Sequence, residues 1–368
     1  MTSRWTTLAD FGQSVWYDNV ARPALASGHL EQLVRDDGVS GGTSNPSIFS
    51  KAVLDSDLYD DEIRSAPADV SDEELFERCA VEDIRRACDL LRPVWERTGG
   101  ADGYISIEEE AALAFEYEPA VRRAHELREL VDRPNLMIKV PGTEAGVRAF
   151  RDLTEQDVNV NVTLLFARER YRQIAEAYVD AIEARVEAGE DVAQMRSVAS
   201  FFVSRIDTQA DRRLPEDSPL RGRIAIANAK LAYADVFAPI VRSERWQRLA
   251  AAGANVQRPL WASTGVKDPA YPPTLYIDEL IGPDTVTTVP DATLDAFREA
   301  QGRPQATLEA GVERAREELD ALADAGIDLD EITAELERDG VDQFADAYGK
   351  MLEAISSKRE RVSARAGG

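Results

Sequence analysis

Short apolar runs alternate with longer amphipathic stretches along most of this chain. The runs are 14–18 (SVWYD), 37–45 (DGVSGGTSN), 104–108 (YISIE), 135–140 (NLMIKV), 158–166 (VNVNVTLLF), 195–202 (MRSVASFF), 256–264 (VQRPLWAST) and 285–290 (TVTTVP). Between them, apolar residues recur three and four apart, the spacing of a helix with one buried face. Such stretches cover 22–37, 71–99, 118–131, 145–153, 167–189, 223–241 and 292–300. Ser71, with Glu74 three residues on, reads as a helix start with a capping box. Eight strands alternating with helices predict a (β/α)8 TIM barrel. We read 1–368 as a single barrel domain with a C-terminal helical extension from about residue 305. The stretch 307–326 is expected to close the barrel and 330–362 to form the extension. The tail SARAGG is expected to fray. No internal repeat and no Pro/Gly/Ser-rich linker divides the chain.

A barrel keeps its chemistry at the C-terminal ends of its strands. Polar residues there, in otherwise apolar surroundings, are the candidates. Lys139 is the clearest. Only six of the 43 basic residues are lysines, and Lys139 alone lies inside a predicted strand. A lysine there is desolvated, which favours the neutral amine, a nucleophile that forms Schiff bases with ketones and aldehydes. The competing reading is a lysine snorkelling at a strand end or paired with a buried carboxylate. In VNVNVTLLF, Asn159, Asn161 and Thr163 alternate with valines, and period two puts all three on one face. With the valines toward the helices, that face points into the barrel. Glu108 ends the third run, whereas Glu109 and Glu110 read as solvated loop charges. Asp18 ends the first run and Asn45 follows the second; Ser200 and Ser263 end runs six and seven. Each alone is an ordinary turn or cap residue. Together they ring one interior lysine.

Composition narrows the partners. The 368 residues carry 43 Lys+Arg against 68 Asp+Glu, a formal charge of −25. Such a surface repels nucleic-acid backbones and anionic membranes. No run of 18 apolar residues predicts a bilayer span. The first ten residues lack a basic start with an apolar stretch, so no signal peptide is expected and the expected compartment is the cytoplasm. Cys79 and Cys88 lie nine apart on one predicted helix, about 180° apart around its axis, and do not pair there. His29 and His125 have no neighbours at metal-ligand spacing. No metal and no other cofactor is expected.

Two segments resemble the transaldolase family. One is Thr43-Ser44-Asn45-Pro46-Ser47-Ile48-Phe49, where Gly42 just before it replaces a more usual small residue. The other is Leu136-Met137-Ile138-Lys139-Val140-Pro141-Gly142-Thr143, continuing through Val147. NVNVTLLF and ASFFVSRID are similar to that family's fifth and sixth strands. The resemblance implies a Schiff-base lysine on strand four, at Lys139. It also implies transfer of a dihydroxyacetone unit from sedoheptulose 7-phosphate to glyceraldehyde 3-phosphate, giving erythrose 4-phosphate and fructose 6-phosphate in the non-oxidative pentose phosphate pathway. By the same resemblance Asp18 takes the proton of the C4 hydroxyl. Glu108 works through a water held by Thr163. Asn45, Asn161, Ser200 and Ser263 line the substrate pocket, and Arg205 holds phosphate. Many relatives carry a second arginine two residues after the serine of strand seven. Here that position is Gly265, and Lys267 either supplies the charge or is a solvated loop lysine.

The implied partners are small phosphorylated sugars, with the chain a monomer or a homodimer. Fructose 6-phosphate aldolases share the barrel and the lysine but release free dihydroxyacetone. They are much shorter and carry a tyrosine near the position of Glu108, so length and Glu108 argue for transfer. A non-catalytic barrel serving as a binding module would be signalled by loss of the interior lysine. An acidic mimic of nucleic acid would need concentrated charge, whereas here arginines are interleaved with the carboxylates.

Overall fold

The computed structural model describes residues 3–67 and 69–366. Eight parallel strands close into a barrel in chain order. They are β1 (Gln13–Tyr17), β2 (Gly41–Thr43), β3 (Ile105–Glu108), β4 (Leu136–Pro141), β5 (Val160–Leu165), β6 (Ser197–Phe202), β7 (Arg258–Ala262) and β8 (Thr285–Val289), with β8 pairing back to β1. Each begins and ends inside its apolar run or within one residue of it. The (β/α)8 barrel expected from the alternation is the fold. Its strands read as nearly continuous apolar segments because helices cover their outer face and side chains fill the inner one.

Register decides which polar residues meet. Glu108 lies beside Lys139, and Lys139 beside Asn161. In-register neighbours on parallel strands share a face, so three polar side chains from consecutive strands point into the barrel together. One row lower, Ser106 lies beside Met137. The N-terminal end of the interior is filled by a different polar group. Trp16 Nε1 donates to Asp102 Oδ1 at 2.8 Å, Ser40 and Ser14 donate to the other carboxylate oxygen, and Arg258 donates to Ser14 Oγ at 2.7 Å. That plug leaves only the C-terminal mouth for chemistry. Between β5 and β6 the register shifts from Val162 to Leu165, and Leu164 takes a left-handed φ of 60°.

Several helices match expectation, and the capping box at Ser71 and Glu74 opens the helix Asp72–Arg97. Cys79 and Cys88 on that helix are buried, unbonded, and packed in separate apolar clusters. The stretch 22–37 is broken by Gly28, at φ 74°, into Arg22–Ala26 and His29–Gln32 followed by a wider turn. The stretch 307–326 does not close the barrel. The helix after β8 is Asp291–Glu299, while Val312–Asp324 packs Ala315 against Ala227 and Leu231 of the helix Ile224–Ala232. The segment Ile224–Arg242 is long and apolar enough to cross a membrane, and burial of 72% within the fold accounts for that composition.

The last helix, Leu329–Ala366, is the extension the sequence predicts. It continues through the first four residues of the tail expected to fray; residues 367 and 368 lie outside the described residues. Met351, Ile355 and Val362 pack against Phe49, Val53, Tyr59 and Leu75 in an apolar cluster beside the barrel. Lys358, buried, pairs with Asp60 at 2.8 Å.

One close approach is open to test. A Cβ on Gly41 would lie 2.4 Å from the indole of Trp16, which Asp102 holds in place. Forcing a methyl into a packed core costs about 1–3 kcal/mol. Gly41→Ala is therefore expected to lower the unfolding free energy by about 1–3 kcal/mol, read as a fall in the urea midpoint, and an unchanged midpoint would show that Trp16 moves freely.

Candidate active site

Lys139 is a mid-strand residue of β4, so the strand period fixes its direction into the barrel. Its Nζ lies 3.3 Å from Glu108 Oε1, with the two side chains only 8% and 6% exposed. It also approaches the carbonyl of Ser44 at 3.5 Å. Of the readings left open by the sequence, the pairing with a buried carboxylate is the one present here, at an interior position of the barrel. Neither Glu108 oxygen has an aligned hydrogen-bond donor among the described residues, so the contact is an ion pair rather than a well-formed hydrogen bond. Burial pushes the Glu108 carboxyl up to about 7, against the pull of the Lys139 charge, with Asp18 adding to the rise. A group poised there gives and takes protons readily at neutral pH.

The neighbours divide into satisfied and unsatisfied groups. Asn161, fully buried, donates from Nδ2 to Ser106 Oγ at 3.0 Å and accepts at Oδ1 from Ser200 Oγ at 2.7 Å. That chain locks the amide's orientation beside Lys139. Thr163 Oγ1 and Ser44 Oγ are buried without a partner among the described residues. Buried hydroxyls of this kind are rare unless a site uses them. Asn159 lies one row below Asn161, toward the N-terminal end of the barrel. It precedes β5, and its Oδ1 accepts from Arg196 N at 2.8 Å. Asp18 continues the inward row of β1, and its Oδ1 accepts from Thr43 Oγ1 at 2.5 Å. Asn45 caps the helix Pro46–Asp55 by accepting from Ile48 N at 3.1 Å. Capping uses only its oxygen, so the amide NH2 stays available as a donor.

The cationic groups lie on the β6 and β7 side of the mouth. Ser204 and Ser263 share a hydrogen bond of 2.9 Å, joining the loops after those two strands. Arg205 opens the helix Ser204–Arg213. Its Nη1 is buried without a partner among the described residues, and burial lowers its pKa. A desolvated guanidinium with a spare donor is an anion-binding group. Asp207 holds that helix by accepting from Ala225 N at 2.8 Å and Tyr276 Oη at 2.9 Å. Lys267 is exposed, but its Nζ lies 3.7 Å from where a Cβ on Gly265 would be. Its ammonium thus occupies space beside Gly265.

The arrangement is a lysine paired with a buried carboxylate at the mouth of a closed barrel, ringed by hydroxyls and amides, with cationic groups to one side. The family model for transaldolase/fructose-6-phosphate aldolase matches residues 15–355. This chain belongs to that family. It is 43% identical over 369 residues to "Transaldolase 2" of Streptomyces coelicolor, covering 99% of each chain. It is 44% identical over 364 residues to "Transaldolase" of Thermobifida fusca, covering 97% of this chain and 99% of that one. With "Transaldolase" of Frankia alni it shares 42% over 367 residues, covering 98% and 99%.

Within this family member the lysine segment is mostly architecture. A Cβ on Gly146 would lie 1.8 Å from the carbonyl oxygen of Pro141, so only glycine lets the helix Glu144–Glu155 start so close to β4. Thr143 caps that helix by accepting from Gly146 N at 3.0 Å. The helix start thus turns the chain away directly after Lys139-Val140-Pro141, and Lys139 remains on the strand with its side chain in the barrel.

The expectation that Glu109 is solvated is wrong. It is 3% exposed and has no partner for either oxygen among the described residues. Burial first, then Glu110 and Glu108, push its carboxyl well above the ordinary range. It faces a cavity of ≈ 250 Å³ shared with Phe76, Arg123 and Tyr348. Strand alternation was the available signal: Glu108 points inward, so Glu109 turns under the outer helices. Sequence reasoning also missed Ser106 and Ser44, whose polarity was legible but whose partners were not. It missed Phe344 of the C-terminal helix too, whose ring centre is 5.7 Å from Lys139 Nζ.

Glu108 can be followed directly. Its carboxyl carbon, assigned in NMR spectra by its loss in Glu108→Gln, is expected to titrate near 7. A midpoint near the ordinary ~4.3 would mean that the pair is hydrated rather than buried.

Proposed function

We propose that this chain is a transaldolase that moves a dihydroxyacetone unit from sedoheptulose 7-phosphate to glyceraldehyde 3-phosphate through a Schiff base on Lys139. The observation that carries the reading is the buried contact between Lys139 and Glu108 at 3.3 Å. A proton passes from the lysine ammonium to a carboxylate whose affinity for it is raised by burial. The neutral amine then attacks the C2 carbonyl. Glu108 returns the proton through a water held by Thr163, and the carbinolamine leaves as water plus an imine. Asp18, steadied by Thr43, takes the proton of the C4 hydroxyl. The C3–C4 bond breaks, its electrons move into the imine as an enamine, and erythrose 4-phosphate departs. The enamine carbon attacks the aldehyde of glyceraldehyde 3-phosphate, the same proton transfers run in reverse, and water frees fructose 6-phosphate. Asn161, locked between Ser106 and Ser200, and the free amide donor of Asn45 orient the hydroxyls. Ser263 lines the phosphate side, where Arg205 and Lys267 hold the anion. The imine does the polarising, so the scheme needs no metal or other cofactor.

The alternative is an aldolase that releases free dihydroxyacetone. The family covers both activities, but the relatives described above are named transaldolase along the full length of this chain. The compartment proposed for the enzyme is the cytoplasm.

Borohydride trapping with fructose 6-phosphate is expected to add one reduced dihydroxyacetone or hexose unit to the wild-type mass and none to Lys139→Ala, which also loses turnover. Full transfer by that variant would remove the proposal. For the anion side, Lys267→Ala is expected to raise KM for phosphorylated donors several-fold with kcat nearly unchanged, the signature of lost uniform binding. An unchanged KM would leave Arg205 as the sole phosphate ligand of the pair.

A further inference from the structure

The C-terminal helix Leu329–Ala366 does more than cover apolar surface. Gly340, Phe344, Tyr348, Met351 and Ile355 fall at spacings of four, four, three and four, so they form one stripe of that helix. The stripe has two parts. Tyr348, Met351 and Ile355 belong to the outer cluster with Phe49 and Phe76, and Tyr348 meets Phe76 edge-on at 6.1 Å. Gly340 and Phe344 reach the barrel. A Cβ on Gly340 would lie 3.1 Å from Leu164 Cδ2, so the helix backbone rests on the left-handed residue just before the last residue of β5. Phe344 is half-buried, packs against the main core, and sets its ring 5.7 Å from Lys139 Nζ. The helix is fixed from both sides, and its aromatic residue stands over the lysine.

We infer that Phe344 is a specificity-determining residue that seals the lysine-bound intermediate from bulk water and so sets the ratio of transfer to hydrolytic release. The inference rests on the Schiff-base reading of Lys139. Groups able to hold water, Glu108, Thr163 and Ser44, lie within the barrel beside the lysine, whereas Phe344 comes from the separate C-terminal helix. It presents no donor or acceptor, and water beside an apolar ring in a confined site gains few partners. The reaction it opposes balances simply. The enamine carbon takes a proton, giving the iminium. Water adds to C2, and the C–N bond breaks to yield dihydroxyacetone and the lysine ammonium. With the ring in place, the enamine persists until an acceptor aldehyde arrives.

The test measures free dihydroxyacetone formed without acceptor and erythrose 4-phosphate plus fructose 6-phosphate formed with it, in the full-length protein. Phe344→Ala and Phe344→Gln are expected to raise the release-to-transfer ratio about tenfold or more, a change of ~1.4 kcal/mol in relative barrier. Phe344→Leu, still apolar, is expected to stay near wild type. The urea midpoints should remain close to one another, because Met351, Ile355 and Lys358 anchor the helix independently. A ratio unchanged in both Ala and Gln variants overturns the inference, as does a leucine variant as leaky as alanine. Failure of the wild type to be trapped by borohydride would instead remove the Schiff-base reading itself, a result distinguishable from either.

Discussion

The buried contact between Lys139 and Glu108 is the constraint on which the rest of the site depends. Taking an ammonium and a carboxylate out of water is expensive, and their mutual attraction rarely repays it in full. The fold accepts that cost in the barrel interior, and it places the two groups through register alone. β3 and β4 pair so that residue 108 stands beside 139, and β4 and β5 so that 139 stands beside 161. A one-residue slip in either pairing would turn one partner toward the helices. The plug of Trp16, Asp102 and Arg258 at the other end of the barrel is therefore part of the site's architecture. It fills the interior below the lysine, so the polar row is reached from the mouth.

Under the proposed function, an acidic protein must handle anionic substrates. A net charge of −25 opposes the approach of phosphates. The positive groups that counter it lie on the β6 and β7 side, across from the carboxylates Asp18 and Glu108 contributed by β1 and β3. Arg205 is half-buried, and its buried Nη1 has no hydrogen-bond partner among the described residues, so an arriving anion would offset its desolvation. Lys267 is exposed and adaptable, a point charge beside Gly265 rather than a fork. On that reading the site cations act locally against the sign of the overall charge.

What was legible in the sequence followed from period and position. The eight strands announced themselves because parallel strands are apolar on both faces, and a lysine within one of them stood out. Asn161 and Thr163 were placed by alternation, whereas the backbone partner that Asn159 finds at the N-terminal edge of β5, Arg196 N, was not legible. Glu109 failed for the converse reason. Acidic residues after a strand are usually solvated, and the local rule knows nothing of the helices Asp72–Arg97 and Tyr117–Val131 that close over this loop. The break at Gly28 and the placement of Val312–Asp324 were hidden because helical periodicity marks a buried face without saying which surface buries it.

Phe344 illustrates the deepest limit. In sequence it is one apolar residue in a long amphipathic helix, 205 positions from the lysine it approaches. Its place is decided by contacts that are themselves distant: the outer cluster around Phe49 and Leu75, the ion pair of Lys358 with Asp60, and the bulged end of β5 at Leu164. Each of these looks structural when taken alone. Together they convert the extension into a support that holds one ring over the mouth of the barrel. The strand segments that bear the polar residues can keep a short, local pattern because they need only present those groups. Control over what else reaches them is carried by an element whose position depends on the whole fold, so it leaves no local signature.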